Sequence, residues 1–335
     1  MGLDSEPPVY SESGIYSNLL LCRGRGFPLY HPAPRTRLPE EYRRTGVAIG
    51  DVGTVTVEGD FDFFFNIYLP ANDPINIDAP EDFVPLSAYR SRDVSDYNFD
   101  PGNHVSTDSI YERSGSFHNS TLGGDFVFNC MGPNGAVLAL PHGGYLEKLG
   151  KLAFMRQYAA KNAKSWYKYL NGTRGCELVN GSLFLITGCE KARSWGMATF
   201  HHVSAQNEFQ LSFSPTTDAV DGFKYRWQGA YCRSKHADPP LDDSPLNQTT
   251  FIHAFTISLP ETIWETLFGD VAIRQLVDSP ASMDKSGRGF VPYGSQGSLF
   301  TSFYNFFSEN APTGGRQCTG QDGIILDASP IPKVR

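Results

Sequence analysis

The chain lacks most of the features that assign a protein quickly. Its start, MGLDSEPPVYSESGIYSN, has no basic segment followed by an apolar core, so a secretory signal is not expected. Glu6 stands where an N-myristoylation site wants Ser or Thr, the hydroxyl falling one place early at Ser5. No apolar run approaches the roughly 18 residues of a membrane-spanning helix. The six cysteines (Cys22, Cys130, Cys176, Cys189, Cys232 and Cys318) include no Cys-x-x-Cys pair. Reduced thiols in the cytoplasm are expected, with the sequons at Asn119, Asn171, Asn180 and Asn247 unused. The net charge is −8, so no global basic field exists to attract nucleic acid, and none is expected as a partner.

Catalytic signatures are missing too. The chain holds no P-loop, no G-x-S-x-G elbow, no His-Glu-x-x-His helix and no dinucleotide fingerprint. Gly24-Arg25-Gly26 lacks a third glycine and reads as a turn. The densest metal-ligand types are His201-His202 and Cys232 with His236 and Asp238. Neighbouring residues of a regular strand point to opposite faces, which would split the histidine pair. No metal and no cofactor are expected.

What is present is apolar bulk and turn chemistry. Hydrophobic residues make up 40% of the 335, enough for a sizeable core, and 24 Phe and 16 Tyr beside 33 Gly and 23 Pro lean towards β structure. Residues 46–70 alternate around Glu58-Gly59-Asp60, a strong hairpin signal, with Asp62 on a solvated strand face. GDFVFNC (124–130) and AVLALP (136–141) read as a strand pair joined through Asn134-Gly135. Strands are expected at 181–188, 197–203 and 249–259, and a hairpin from 207–215 and 223–231. Residues 145–170 predict one long helix, with Leu149, Leu152, Met155, Ala159, Trp166 and Leu170 on one stripe. Residues 260–278 predict a second helix, opened by Pro260. The fold class expected is α+β: an antiparallel β-rich body with one long central amphipathic helix and a second C-terminal helix. Residues 1–45 are read as irregular, 46–278 as one domain, and 279–335 as an irregular tail carrying the aromatic segment SLFTSFYNFF.

Two sets of residues carry candidate chemistry. The polar side of the central helix holds Lys148, Lys151, Arg156, Lys161, Lys164 and Lys168 against one acid, Glu147, a local reversal of charge in an acidic chain. Lys191 and Arg193, at the Glu190 to Ser194 tip of an expected hairpin, extend that surface. An acidic membrane surface is the obvious partner, and pairing with the chain's own acids is the plainer alternative. The second set is Cys189, near those cations, with His201 or His202 as a base across the hairpin. A turn cysteine beside exposed charges is the plainer alternative there.

GFPLYHPAPRTRLPEEYRRTGVAIGDVGTVTVEGDFDFFFNIYLP (26–70), YAAKNAKSWYKYLNGTRG (158–175) and GSLFLITGCEKARSWGMATF (181–200) resemble a family of uncharacterised cytosolic proteins of mushroom-forming fungi, over residues 15–259. That resemblance implies no activity and no catalytic residues. A basic helix running into SLFLIT (182–187) is similar to the pore-forming domain of gasdermins. The similarity implies a sheet that extends into membrane-spanning hairpins and basic patches that bind acidic lipid.

The expected function is a non-catalytic intracellular binding or recognition protein with a protein or small-molecule ligand, since long polar loops on a rigid sheet commonly carry recognition. The alternatives are an acidic-lipid-binding or gasdermin-like pore-forming protein, and a cysteine-dependent enzyme. The sequence leaves room for an oligomer.

Overall fold

The structure is a computed structural model and describes residues 11–76, 79–80, 82–113, 118–119, 123–204, 207–216, 224–238, 246–268 and 325–328. In chain order the elements begin with helix α1 (Glu12–Leu21), β1 (Phe27–Pro28), α2 (Glu40–Thr45), β2 (Asp51–Val55) and β3 (Phe61–Asn66). Next come β4 (Val94–Phe99), β5 (Asn103–Ser106), β6 (Ile110–Glu112), β7 (His118–Asn119), β8 (Gly123–Gly124), β9 (Phe126–Cys130), β10 (Gly135–Leu140) and β11 (Gly144–Leu149). Helix α3 (Ala153–Tyr167) runs on into a π-helical turn, Lys168–Thr173. The chain continues through β12 (Leu183–Ala192), β13 (Trp195–Phe200), β14 (Phe209–Thr216), β15 (Lys224–Gly229), β16 (Arg233–Ala237), β17 (Gln248–Ser258), α4 (Glu261–Phe268) and β18 (Ile325–Ala328).

The architecture is α+β, and every strand pair described is antiparallel. The largest sheet runs β1-β17-β12-β11-β4, with β18 on β17 and the β2–β3 hairpin joined through β2 to β12. Two four-stranded sheets follow, β16-β13-β10-β5 and β15-β14-β9-β6. The expected β2–β3 hairpin forms around Gly59, whose φ of 86° is the left-handed conformation that glycine adopts freely. The β14–β15 hairpin forms as well.

Every residue of β12 is buried, because both faces of the strand are covered. Leu183 and Leu185 pack with Met155, Ala159, Ala163 and Trp166 of α3 and with Phe255 and Ile257 of β17. Phe184 and Ile186 meet Val55, Phe61 and Phe63 of the hairpin and Leu29 of the N-terminal segment. Strand β10, GAVLAL, is likewise covered twice. Val137 and Ala139 face Phe128 and Phe213 of the neighbouring sheet, while Ala136 and Leu138 face Tyr16 and Leu20 of α1. Gly196 is required in that sandwich, since a Cβ there would come within 2.5 Å of the Phe213 ring.

Several sequence expectations are corrected. The central helix does not begin at 145: YLEKL is strand β11, held between β12 and β4, so pairing overrides local helical spacing. Strands β9 and β10 lie in different sheets rather than forming a pair. Residues 183–200 are no hairpin either. Strand β12 belongs to the large sheet and β13 to the next, so the chain changes sheets at Arg193-Ser194. The N-terminal region carries a helix, α1, capped by Ser11, whose Oγ accepts from Gly14 N. Asp62 keeps a partly exposed side chain, and it shares one guanidinium with Asp60, Arg35 lying 2.5 Å from Asp60 and 2.6 Å from Asp62. Helix α4 is described to Phe268, and the rest of the expected 260–278 helix and SLFTSFYNFF lie outside the described residues.

The expected exposed tip at Glu190 to Ser194 is buried: Glu190 is 1% exposed, Lys191 8% and Ser194 0%. A charge can be buried only with partners. Glu190 Oε1 lies 2.7 Å from Arg25, and its Oε2 accepts from Arg25 Nε at 2.9 Å. Thr250 donates to Oε1 at 3.1 Å. Arg25 also donates to Asn103 of β5 at 2.7 Å and stacks on the Phe99 ring, 3.7 Å from its centroid. Burial pushes the Glu190 carboxyl above its usual range, and Arg25 and Thr250 pull it back. The pair therefore ties the N-terminal segment to three strands of the large sheet and one of the next. Glu190→Ala, which strands Arg25, is expected to cost about 3–5 kcal/mol in urea unfolding. The double change Arg25→Met with Glu190→Met is expected to cost much less. Equal losses in the two variants would show that the pairing is not what matters.

Candidate functional site

The eight cations expected to form one surface separate into three groups. Lys148 lies on β11, half-buried, with Nζ 3.4 Å from His253 Nδ1, and burial pushes its ammonium down. Burial, with Lys148 beside it, draws His253 down to about 3. Lys191 is buried and donates to the Thr45 carbonyl at 2.7 Å. Arg193 is partly buried at the change of sheets and lies near His142, whose imidazole burial and Arg193 push down. These three are structural.

Lys151 and Arg156 are partly engaged. Lys151 meets Asp93 at 2.6 Å and holds that carboxyl below its usual range. Arg156 lies over the Phe255 ring, 4.9 Å from its centroid.

Lys161, Lys164 and Lys168 are exposed, and no ion pair engages them among the described residues. With Phe154 and Gln157 they repeat at steps of three and four residues, so they form one outer row along α3 and its π-helical extension. At 1.5 Å per residue, the three lysines span about 10 Å along the axis. Helix α3 contains no acid. Phe154, at the start of the row, is 73% exposed. Beside the helix Val84 is 72% exposed, and its carbonyl accepts from Tyr158 Oη at 2.7 Å.

The row is held rigidly. Its opposite face, Met155, Ala159, Ala163, Trp166 and Tyr167, is buried against the sheet, and the two alanines allow a close approach. Trp166 meets Phe65 edge-on at 5.4 Å. Tyr167 Oη donates to the Ile257 carbonyl at 2.6 Å and accepts from Gly181 N at 3.0 Å and Leu183 N at 3.3 Å. Asn171 clamps Leu178 N and O, both at 2.8 Å, where the π-helical turn ends.

The cysteine arrangement is not assembled. Cys189 is fully buried in β12, donates to the Val47 carbonyl at 3.2 Å and lies 3.4 Å from Glu147 Oε1. Burial pushes the thiol far above its ordinary range, against the pull of Lys191. His201 and His202 follow β13, in another sheet, and supply no base across a hairpin. The strand geometry expected to split them does not apply, because β13 ends at Phe200. Their rings sit 5.0 Å apart, both exposed. Among the described residues no group of three His, Cys, Asp or Glu side chains could hold a metal ion. His236 Nε2 and Asp238 Oδ1 lie 3.9 Å apart.

Sequence reasoning missed Phe154. Its signal was a large apolar side chain off the core stripe of an otherwise well-phased helix.

No protein-family model matches the chain, and no curated protein matches it. Among solved structures it is similar to the cryo-EM structure of the gasdermin A3 membrane pore. The match is 9% identical, spans 73% of this chain and 91% of that one, and has a TM-score of 0.25. At that score it carries no argument about fold or function.

The burial of Cys189 yields a direct test. Native protein treated with iodoacetamide near neutral pH is expected to label at exposed Cys22, with Cys189 labelled only after unfolding. Labelling of native Cys189 at the rate of Cys22, read by peptide mass spectrometry, would restore it as a candidate nucleophile.

Proposed function

We propose that the chain is a non-catalytic recognition protein whose ligand is an acidic lipid surface, met by the outer row of α3. The observation that carries this reading is the row itself. Three lysines with no ion-pair partner among the described residues and one exposed phenylalanine stand in line on a helix fixed to a sheet, in a chain with a net charge of −8. Cations with an exposed aromatic suit an interface where phosphates lie beside acyl chains. Rigid mounting lowers the ordering cost of binding. The absence of any acid on α3 spares the row internal neutralisation.

The pore-forming form of the reading adds a second step, insertion of strands, which adsorption does not require. The two differ in a measurable way, since only the second releases vesicle contents.

Vesicle sedimentation with the full chain is the test. Binding to vesicles containing phosphatidylserine, absent with neutral lipid and weakened by salt, is expected. At about 1 kcal/mol for each lysine near an anionic surface, replacing Lys161, Lys164 and Lys168 by Gln is expected to weaken binding roughly 100-fold. No sedimentation with acidic vesicles at low salt would remove the reading. Dye release from the same vesicles would add the pore-forming step, and its absence would leave adsorption alone.

A further inference from the structure

A lysine far from α3 in the sequence has an unusual environment. Lys235 lies on β16, the outer strand of its four-stranded sheet, paired opposite Met197 of β13. Its Nζ sits 3.2 Å from the centroid of the Tyr30 ring and 5.9 Å from that of Trp195. His31 Nδ1 is 3.4 Å away. No carboxylate pairs with this ammonium among the described residues. The acid that acts on it, Glu12 of α1, is already engaged: it accepts from Tyr30 Oη at 3.0 Å and meets Arg233 at 3.3 Å. The side chain is half-buried, so the amine is stripped of part of its water.

The charged neighbours all bear on proton affinity. Burial draws Lys235 down to about 8, with Glu12 opposing. Burial and the Lys235 charge lower His31, while Asp60 and Glu58, at the turn of the β2–β3 hairpin, raise it. Arg233 and His236 are the other titratable side chains of β16, and Arg233 is paired with Glu12. Desolvation of the ammonium is one of the ways in which a lysine is activated as a nucleophile.

We propose that Lys235, in the niche formed by Tyr30, Trp195 and His31, is a nucleophilic amine that captures small aldehydes as imines. His31 Nδ1 accepts a proton from the ammonium. The freed nitrogen lone pair forms a bond to the carbonyl carbon, and one of the two protons left on nitrogen passes to the carbonyl oxygen to give a neutral carbinolamine. The last nitrogen proton departs with the hydroxyl group as water, the C–O bond breaks as the C=N bond forms, and His31 returns its proton to solvent, with no change in oxidation state. The ring faces of Tyr30 and Trp195 that face the ammonium suit a protonated imine by the same cation–π attraction.

Two probes test this on the full chain. The first is acetaldehyde trapped with borohydride and mapped by peptide mass spectrometry. At about pH 7.5, ethylation of Lys235 is expected to run about ten-fold or more ahead of Lys161, Lys164 and Lys168. Tyr30→Phe, which keeps the ring, is expected to preserve that lead, and Tyr30→Ala to abolish it. The second is trace acetylation with acetic anhydride, whose rate at Lys235 is expected to level off above about pH 9. Lys235 reacting no faster than the α3 lysines, or acetylation still climbing between about pH 9 and 10, would overturn the proposal. The wild-type chain alone decides this, so a Tyr30→Ala variant that fails to fold does not rescue it.

Discussion

Burial of β12 on both faces is the constraint from which the rest of the structure follows. A strand in that position cannot carry free charge, yet its sequence contains Glu190 and Lys191. Each must find a partner inside the protein. Glu190 finds Arg25, and Lys191 finds the carbonyl of Thr45. Both partners come from the N-terminal segment, which is thereby wrapped across the sheet. Arg25 reaches further, to Asn103, and so links the large sheet to its neighbour. An isolated buried pair is weak evidence of stability, because desolvation offsets attraction. Here the pair fixes which segments meet, and its removal one side at a time leaves a charge without water.

The same burial positions the proposed recognition surface. Leu183 and Leu185 need a cover, and α3 provides it with a face that includes the small residues Ala159 and Ala163. Once that inner face is committed, helical spacing leaves Phe154, Gln157, Lys161, Lys164 and Lys168 outward. The Tyr167 hydroxyl, bonded to three backbone groups of the sheet region, keeps the helix from rolling. Exposure of the lysines is thus a consequence of core packing on the opposite side.

Much of the fold was legible in local patterns. The β2–β3 and β14–β15 hairpins, β17 and the start of α4 each follow from alternation or helical spacing between turn residues. What failed was any inference that needed to know the sheet. YLEKL fits a helical stripe when read alone, and becomes β11 because β12 and β4 stand on either side of it. SLFLITGCEKARSWGMATFHH reads as a hairpin because a polar tip divides two apolar runs. The tip is buried instead, because Arg25, some 165 residues earlier, supplies the missing charge. Composition hid α1 as well: Ser and Gly in ESGIYSNLLL mask Tyr16 and Leu20, which lie one turn apart. The site was legible in part. The cationic row was visible in the sequence, but only packing separates Lys161, Lys164 and Lys168 from five cations with other tasks. The Cys189 arrangement failed for the reason the hairpin did.

A depth measurement addresses the central claim most directly. A fluorophore is placed at position 157, in the row, or at position 231, where Tyr231 is exposed on a different part of the surface. Each labelled chain is mixed with acidic vesicles carrying brominated acyl chains. The account predicts strong quenching from position 157 and little from 231. Equal quenching at both positions, or quenching confined to 231, would contradict it.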